Sequence, residues 1–411
     1  LLGKPTWAAY KLQDQMAGTP EAVLKMLSDL APTVMETAAR EATAIQEIID
    51  AEGGSFDVEP WDWEYYAEKV RRARYDLDME EVKPYFEVNR VLEDGVFFAF
   101  QRFYGVTFRE RTDLPVYHPD VRVFDVIDAD GSEIGLFYAD YFARPSKRGG
   151  AWMSNFVEQS TLLGQKPVVV NVMNIPAPAE GQPALMSFDH VVTMFHELGH
   201  GVHGLFSEAR YPSLAGTNVP RDFVEFPSQF EEDWAKHPEV LRSYARHHET
   251  GEVIPEALMD KVLRASAFNQ GFDTLEYLAA SFLDMAWHTI GVDAEIADVE
   301  GFERSALLRF GVWHPAVPPR YRSAFFAHVF SGGYSSGYYA YIWSEVLAAD
   351  AFAYVQAEGG LSRAVGDAYR REVISRGGTR DPMAIYVDWR GQEPDPVHLL
   401  RRRGLLSQSA E

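Results

Sequence analysis

A mainly α-helical fold with one small β subregion is what this sequence predicts, and three observations carry that prediction. Apolar residues recur at intervals of three and four along most of the 411-residue chain, the spacing of helices with one buried face. Between residues 116 and 180 this gives way to short β-branched and aromatic runs bounded by turn residues. Helical spacing returns from residue 181. One continuous region, 1–411, is therefore expected in three parts: 1–115 helical, 116–180 strand-containing and 181–411 helical.

The elements follow in order. Thr19-Pro20-Glu21 reads as a helix start, with a capping threonine, proline at the first helical position and an acid in the first turn. Pro32 lacks a backbone donor and is expected to interrupt that helix, and Gly53 to close the next. Residues 61–77, and 88–104 ending at Gly105, continue the pattern. Residues 121–127 and 133–141 flank Asp128-Ala129-Asp130-Gly131, a hairpin signal, and 168–172 reads as a further strand. The D-x-D-G run could open a calcium loop, but the remaining ligand spacing, including a bidentate glutamate at the twelfth position, is absent, which leaves a turn. Residues 255–286 and 293–310 are again helical. The tail reads as a helix from Asp381-Pro382 to Gly391, then a helix whose Arg401-Arg402-Arg403 complements its own C-terminus before Gly404.

A net charge of −23 argues against a surface for nucleic acid. With no cysteine there are no disulfides and no thiolate metal ligands, which suits a reducing cytoplasm, the expected location. Neither a signal-like segment nor an eighteen-residue apolar span occurs, so no membrane partner is expected.

The remainder is organised around His196-Glu197-Leu198-Gly199-His200. Apolar positions from Val191 to Leu205 make this stretch a buried amphipathic helix. His196 and His200 then lie one turn apart on one face and can converge on a single zinc ion, while Glu197 beside them can take a proton from a water at that ion. A core helix with two satisfied histidines is the plainer alternative. Gly199, Gly201 and Gly204 weigh against it, because glycines inside a helix imply close approach by another element or a ligand. A third ligand is needed. A histidine ten residues after His196 would serve, but that position is Phe206; His203 lies too far along the axis and is expected to line a cleft. Glu225 is the better candidate, in a second helix whose start or kink Pro227 marks. Glu225, Ser228 and Glu232 share one face of it, so Glu232, or Asp189 on the first helix, could orient a ligand histidine, although acids on helices are usually just solvated.

H-E-L-G-H followed after twenty-four residues by the glutamate of D-F-V-E-F-P-S-Q resembles the M3 family of zinc oligopeptidases. The run T-N-V-P-R-D-F-V-E at 217–225 is most similar to the bacterial peptidyl-dipeptidase branch, and the resemblance extends from end to end. It implies a zincin-type metallopeptidase fold in which His196, His200 and Glu225 hold one Zn2+, Glu197 is the general base and short unfolded peptides are the substrates. In the family an edge strand beside the zinc helix holds extended peptide by backbone hydrogen bonds. Further on, three glycines and four tyrosines crowd His328-Val329-Phe330-Ser331-Gly332-Gly333-Tyr334-Ser335-Ser336-Gly337-Tyr338-Tyr339-Ala340-Tyr341. From its composition the stretch is equally a mobile donor loop or aromatic packing around a turn. The resemblance implies that His328, Tyr334 and Tyr341 face the zinc and that Tyr338 contacts substrate; one extra residue separates His328 from Tyr334 relative to thimet-type members. It also implies an upstream helical region forming one wall of a channel, and this chain, beginning at Leu1 without methionine, looks like a fragment lacking that wall.

Release of C-terminal dipeptides, as in the branch just named, needs a group that holds a carboxylate about two extended residues, roughly 7 Å, beyond the scissile bond. Arg221 is the candidate, with Arg320, Arg322 or a tyrosine as alternatives. An endo-acting oligopeptidase is the nearest rival activity, and a peptide-binding protein without useful turnover a more distant one.

Overall fold

The computed structural model describes residues 3–75, 79–179 and 181–406. The chain divides into two units, one formed by residues 1–77, 260–346 and 395–411, the other by 78–259 and 347–394.

The first unit is helical. Its longest element, Pro20–Ala51, starts as the sequence predicts: Thr19 accepts the Ala22 N–H at 3.2 Å and Pro20 occupies the first turn. Pro32 does not interrupt it. An interior proline costs about 3 kcal/mol. Val23, Leu27, Leu30, Ala31, Val34 and Ala38 are buried along one side, where the helix packs against Gln270–His288. Full burial of each large aliphatic among them contributes roughly 1.5–3 kcal/mol, which outweighs the proline. Glu41, on the same helix, caps the N-terminus of Gln270–His288 by accepting the Gly271 and Phe272 N–H groups at 2.9 and 2.8 Å. Trp63–Tyr75 and Val299–Arg309 complete the larger helices, and the latter begins later than the spacing suggested because Asp298 caps it through the Gly301 N–H at 2.9 Å. The last residues of the 61–77 segment lie outside the described residues.

The second unit contains a five-stranded mixed sheet: β1 (Thr107–Glu110), β2 (Arg122–Ile127), β3 (Glu133–Phe142), β4 (Trp152–Val157) and β5 (Val168–Ile175), in the order β1-β2-β3-β5-β4. Only β3 and β5 run parallel. The β2–β3 hairpin closes through the predicted turn, where the Asp128 N–H donates to the Ser132 carbonyl at 2.8 Å and Gly131 adopts φ 87°. The Asp128 carboxylate is taken up by Arg370 at 2.6 Å, which fits a turn rather than a calcium loop. The sheet also begins earlier than residue 116, with β1, and gains an edge strand in β4; neither segment was marked by the apolar pattern. Both are sheet edges, and β1 is largely solvent-facing, so neither has the regular apolar alternation that marks an inner strand.

Residues 88–104 form one helical run, Val88–Arg90, Val91–Phe97 with π geometry and Phe98–Tyr104, capped by Gly105 at φ 70°. The helix Phe188–Leu205 lies between the sheet and the helix Arg221–Glu231. Its glycines allow the approach on both sides. A Cβ at Gly199 would stand 2.7 Å from the Ser228 Cα, and one at Gly204 2.7 Å from the Met153 Cε of β4. Pro227 neither starts nor ends the second helix, which begins after Pro220; the buried Phe223, Phe226 and Phe230 hold the turn around it. Among the described residues no helix is long and apolar enough to cross a membrane.

Candidate metal centre

Two helices bring together three donors that are far apart in sequence. His196 and His200 project from one face of Phe188–Leu205 with ring centroids 4.8 Å apart and planes at 86°. Glu225, from the second turn of Arg221–Glu231, places Oε2 3.4 Å from His196 Nε2 and 3.1 Å from His200 Nε2. Donors about 2.0–2.1 Å from a tetrahedral zinc lie roughly 3.3 Å from one another, so the two separations from Glu225 fit neighbouring corners around one ion, and all three ligand atoms lie within 4.8 Å of one another.

The surroundings also suit a cation. Glu232 Oε1 lies 2.7 Å from His196 Nδ1. A carboxylate oxygen only accepts, so that nitrogen carries the hydrogen and Nε2 keeps its lone pair for a metal. Ser228 Oγ donates to the Glu225 carbonyl at 2.9 Å and stands 3.4 Å from Glu225 Oε2. Burial pushes the Glu225 carboxyl up, but His196 and His200 override it and hold the group well below the usual carboxylate range. Burial likewise disfavours charge on His196, and Glu225 with Glu232 reverses this. The two carboxylates that favour a proton on His196 favour a metal cation in its stead.

Glu197, adjacent to His196, is 4% exposed, and its Oε2 has no hydrogen-bond partner. Burial raises its pKa against the pull of His196 and His200. Arg221 occupies the first position of its helix, half-buried, four residues before Glu225.

Three expected roles meet a different environment. His203 does not line a cleft: it is fully buried, neither ring nitrogen has a hydrogen-bond partner, and burial takes its pKa down to about 3. Four helix positions beyond Gly199, it points into the core toward Phe223, with ring centroids 6.3 Å apart. Asp189 is exposed in the first turn of Phe188–Leu205, where an acid complements the helix N-terminus, and it makes no hydrogen bond to His196 or His200. Of the two acids considered, Glu232 is the one that touches His196. Tyr338, expected to contact substrate, is 4% exposed and packs with Phe326, Val329 and Ala280 in the first unit.

Tyr334 and Tyr341 pack against the same cluster in the first unit, the His328 ring lies 5.9 Å from that of Tyr334, and all three residues are partly exposed. The Tyr341 hydroxyl donates to that of Tyr334 at 2.9 Å, and the two rings stack at 5.6 Å and 10°. The Tyr334 N–H reaches the His328 carbonyl at 3.1 Å across the extra residue, closing a tight turn rather than a slack loop.

Sequence reading missed His247, His248 and Glu249, whose potential ligand atoms lie within 4.8 Å of one another on an exposed turn. The two imidazoles there stack at 17°, so their in-plane lone pairs run side by side instead of converging. It also missed Glu231 and Asp284, buried acids with no spacing to a motif that would single them out.

The chain belongs to peptidase family M3, whose family model matches residues 1–405. It is 50% identical over 405 residues to dipeptidyl carboxypeptidase of Escherichia coli (strain K12), covering 98% of this chain and 60% of that protein. Oligopeptidase A of the same organism is 38% identical over 414 residues, again covering 98% and 60%. The chain thus spans about three-fifths of the length of these curated relatives. A solved structure described as PZ peptidase A with inhibitor 2 shares the fold, with a TM-score of 0.50 and 12% identity over 94% of this chain and 57% of that one. Membership of a metallopeptidase family implies a metal cofactor, and His196, His200 and Glu225 are the group that fits one.

Proposed function

We propose that this chain carries the catalytic centre of a zinc peptidase that releases dipeptides from the free C-termini of short, unfolded peptides in the cytoplasm. The observation that carries this is the convergence of His196, His200 and Glu225 at 3.1–3.4 Å in a chain 50% identical to a dipeptidyl carboxypeptidase. His196, His200 and Glu225 would hold one Zn2+. When bound, the ion supplies a Lewis acid that polarises the scissile carbonyl and lowers the pKa of water.

The protein's own groups do the rest. Glu197 removes a proton from the attacking water and returns it to the departing amine, a role suited to a buried carboxyl with a raised pKa and a free oxygen. Tyr341 and His328, with Tyr334, donate to the oxyanion as it forms. The edge strand β4 offers backbone groups to extended peptide. For the terminal carboxylate Arg221 remains the candidate. Arg322 is engaged by the buried Glu303, whereas Arg320, half-exposed and 3.6 Å from Glu276, is the better alternative.

Mass spectrometry of products from one peptide, offered as free acid and as C-terminal amide with metal assayed in the same sample, tests this. Dipeptide release from the acid and sharply slower cleavage of the amide are expected; Arg221→Ala should raise KM for the acid and narrow its advantage. Equal rates on acid and amide, or internal fragments first, favour the endo-acting reading.

A further inference from the structure

The turn that carries Tyr334 is gripped by a residue remote from it in sequence. Asp284 lies in the helix Gln270–His288 and is fully buried, among the buried Phe282, Leu283, Met285 and Ala286. A carboxylate in such surroundings is unfavourable unless donors saturate it. Here they do. Oδ1 accepts the Ser336 N–H at 2.8 Å and Oδ2 the Tyr338 N–H at 2.9 Å, and His288 Nδ1 lies 2.8 Å from Oδ1. That nitrogen also faces the Asp284 carbonyl at 2.8 Å; both neighbours are acceptors, so it carries the hydrogen and donates.

Between the two captured amides stands Ser336, with φ 58°, a left-handed conformation that a residue bearing a Cβ adopts only when its surroundings impose it. Its side chain is buried and its hydroxyl has no hydrogen-bond partner, so the serine gains nothing locally from this pose. Tyr277, two turns before Asp284 on the same helix face, donates its hydroxyl to the Tyr338 carbonyl and accepts the Ile342 N–H at 3.4 Å. The helix thereby holds the backbone at Ser336, Tyr338 and Ile342, starting two residues after Tyr334 and flanking Tyr341 on both sides. A bond from outside the grip also reaches the turn: the exposed Trp7 Nε1 donates to Ser335 Oγ at 2.9 Å.

We propose that Asp284 is a positioning residue that, by fixing the backbone of Ser336 and Tyr338, presents the Tyr334 and Tyr341 hydroxyls to the developing oxyanion as one preformed pair. This rests on the function proposed above for those hydroxyls. Asp284→Asn keeps the size of the side chain but turns one acceptor into a donor, leaving either the Ser336 or the Tyr338 N–H without a partner. In the metal-loaded protein kcat should fall about ten- to a hundredfold, with KM within about threefold and metal content unchanged. Affinity for a phosphinic peptide, whose tetrahedral phosphinate mimics the oxyanion, should fall by the same factor as kcat/KM. Trp7→Phe, which removes only the exposed bond to the turn, should stay within about twofold of the parent.

A merely structural role would lower the melting temperature while leaving kcat per folded, metal-loaded site within about twofold of the parent, and that result overturns the proposal. Hydrogen exchange on the unsubstituted protein keeps the test open if Asp284→Asn does not fold. The Ser336 and Tyr338 amides should exchange at least about a hundredfold more slowly than that of the exposed Gly333, and equal rates would refute the grip. Tyr341→Phe, measured in parallel, separates the two claims. Normal turnover there removes the hydroxyls from the reaction and this inference with them; impaired turnover beside a normal Asp284→Asn removes this inference alone.

Discussion

The metal centre and the tyrosine turn both hold polar groups in a fixed pose, by opposite means. At the metal centre the chemical groups stand on regular helices and are steadied by other side chains, Glu232 on His196 and Ser228 on Glu225. At the turn the backbone itself is irregular, and it is backbone amides that are steadied, by the single buried carboxylate of Asp284. Helical scaffolds let a side chain be exchanged without moving its neighbours. An irregular turn does not, because the groups that fix it are those that define its path. Substitutions at the metal centre should therefore separate metal binding from chemistry, while those at the turn should change the rate and leave the metal alone.

The sharpest way to break that contrast is at the centre itself. Glu225→Ala removes a donor 3.1 Å from His200 Nε2 and should abolish stoichiometric metal along with turnover. Glu197→Gln should keep the metal and lose on the order of a thousandfold in kcat, since only the proton acceptor is gone. Metal analysis beside kinetics checks the pair. Stoichiometric zinc in folded Glu225→Ala would remove that residue from the ligand set, and a metal-free Glu197→Gln would merge two roles held here to be separate.

A smaller effect is expected one layer out. Glu232→Ala leaves His196 Nδ1 without the acceptor now 2.7 Å away, so the imidazole is no longer held in its ligating orientation. Metal affinity should fall about ten- to a hundredfold, read by competition with a chromogenic chelator. Ser228→Ala should weaken it by less, because the 3.4 Å approach of its hydroxyl to Glu225 Oε2 is long for a hydrogen bond. Equal losses in the two would mean that helix packing, rather than the His196–Glu232 contact, sets the affinity.

The same contrast explains what could be read in the sequence. His196 and His200 were legible because helix geometry converts a spacing of four into a shared face, and Glu232 because it follows Glu225 by seven. The inward turn of His203 was not legible, since one residue's rotation about the axis decides between cleft and core and the apolar stripe brackets both. Pro32 misled because local propensity is outweighed by a long buried face, which no window of a few residues contains. The strands β1 and β4 escaped notice because edges carry weak alternation. Asp284 precedes the turn it holds by more than fifty residues, and nothing in the intervening chain relates the two.

The smallest predicted effect concerns a buried acid between these regimes, on the metal-site helix but outside the metal's reach. Glu231 is fully buried behind Gly199 and accepts a hydrogen bond from the Tyr104 hydroxyl. Burial raises its pKa to about 8, against the lowering effects of Tyr104 and Trp234. An acid whose folded pKa exceeds its unfolded value binds its proton more tightly in the native state. Its contribution to stability is complete below about pH 4.5 and is lost as pH rises through 8. Glu231→Gln retains the acceptor for Tyr104 and never ionises. It should melt within a degree or so of the parent near pH 4.5, then gain steadily up to pH 8, reaching on the order of a few kcal/mol there. Metal affinity and kcat should not follow that trend, since Glu231 touches neither ligand nor turn. A constant difference in melting temperature across pH 4.5–8 would mean that Glu231 is ionised in the folded protein, and a parallel change in metal affinity would mean that the second helix transmits its state to Glu225.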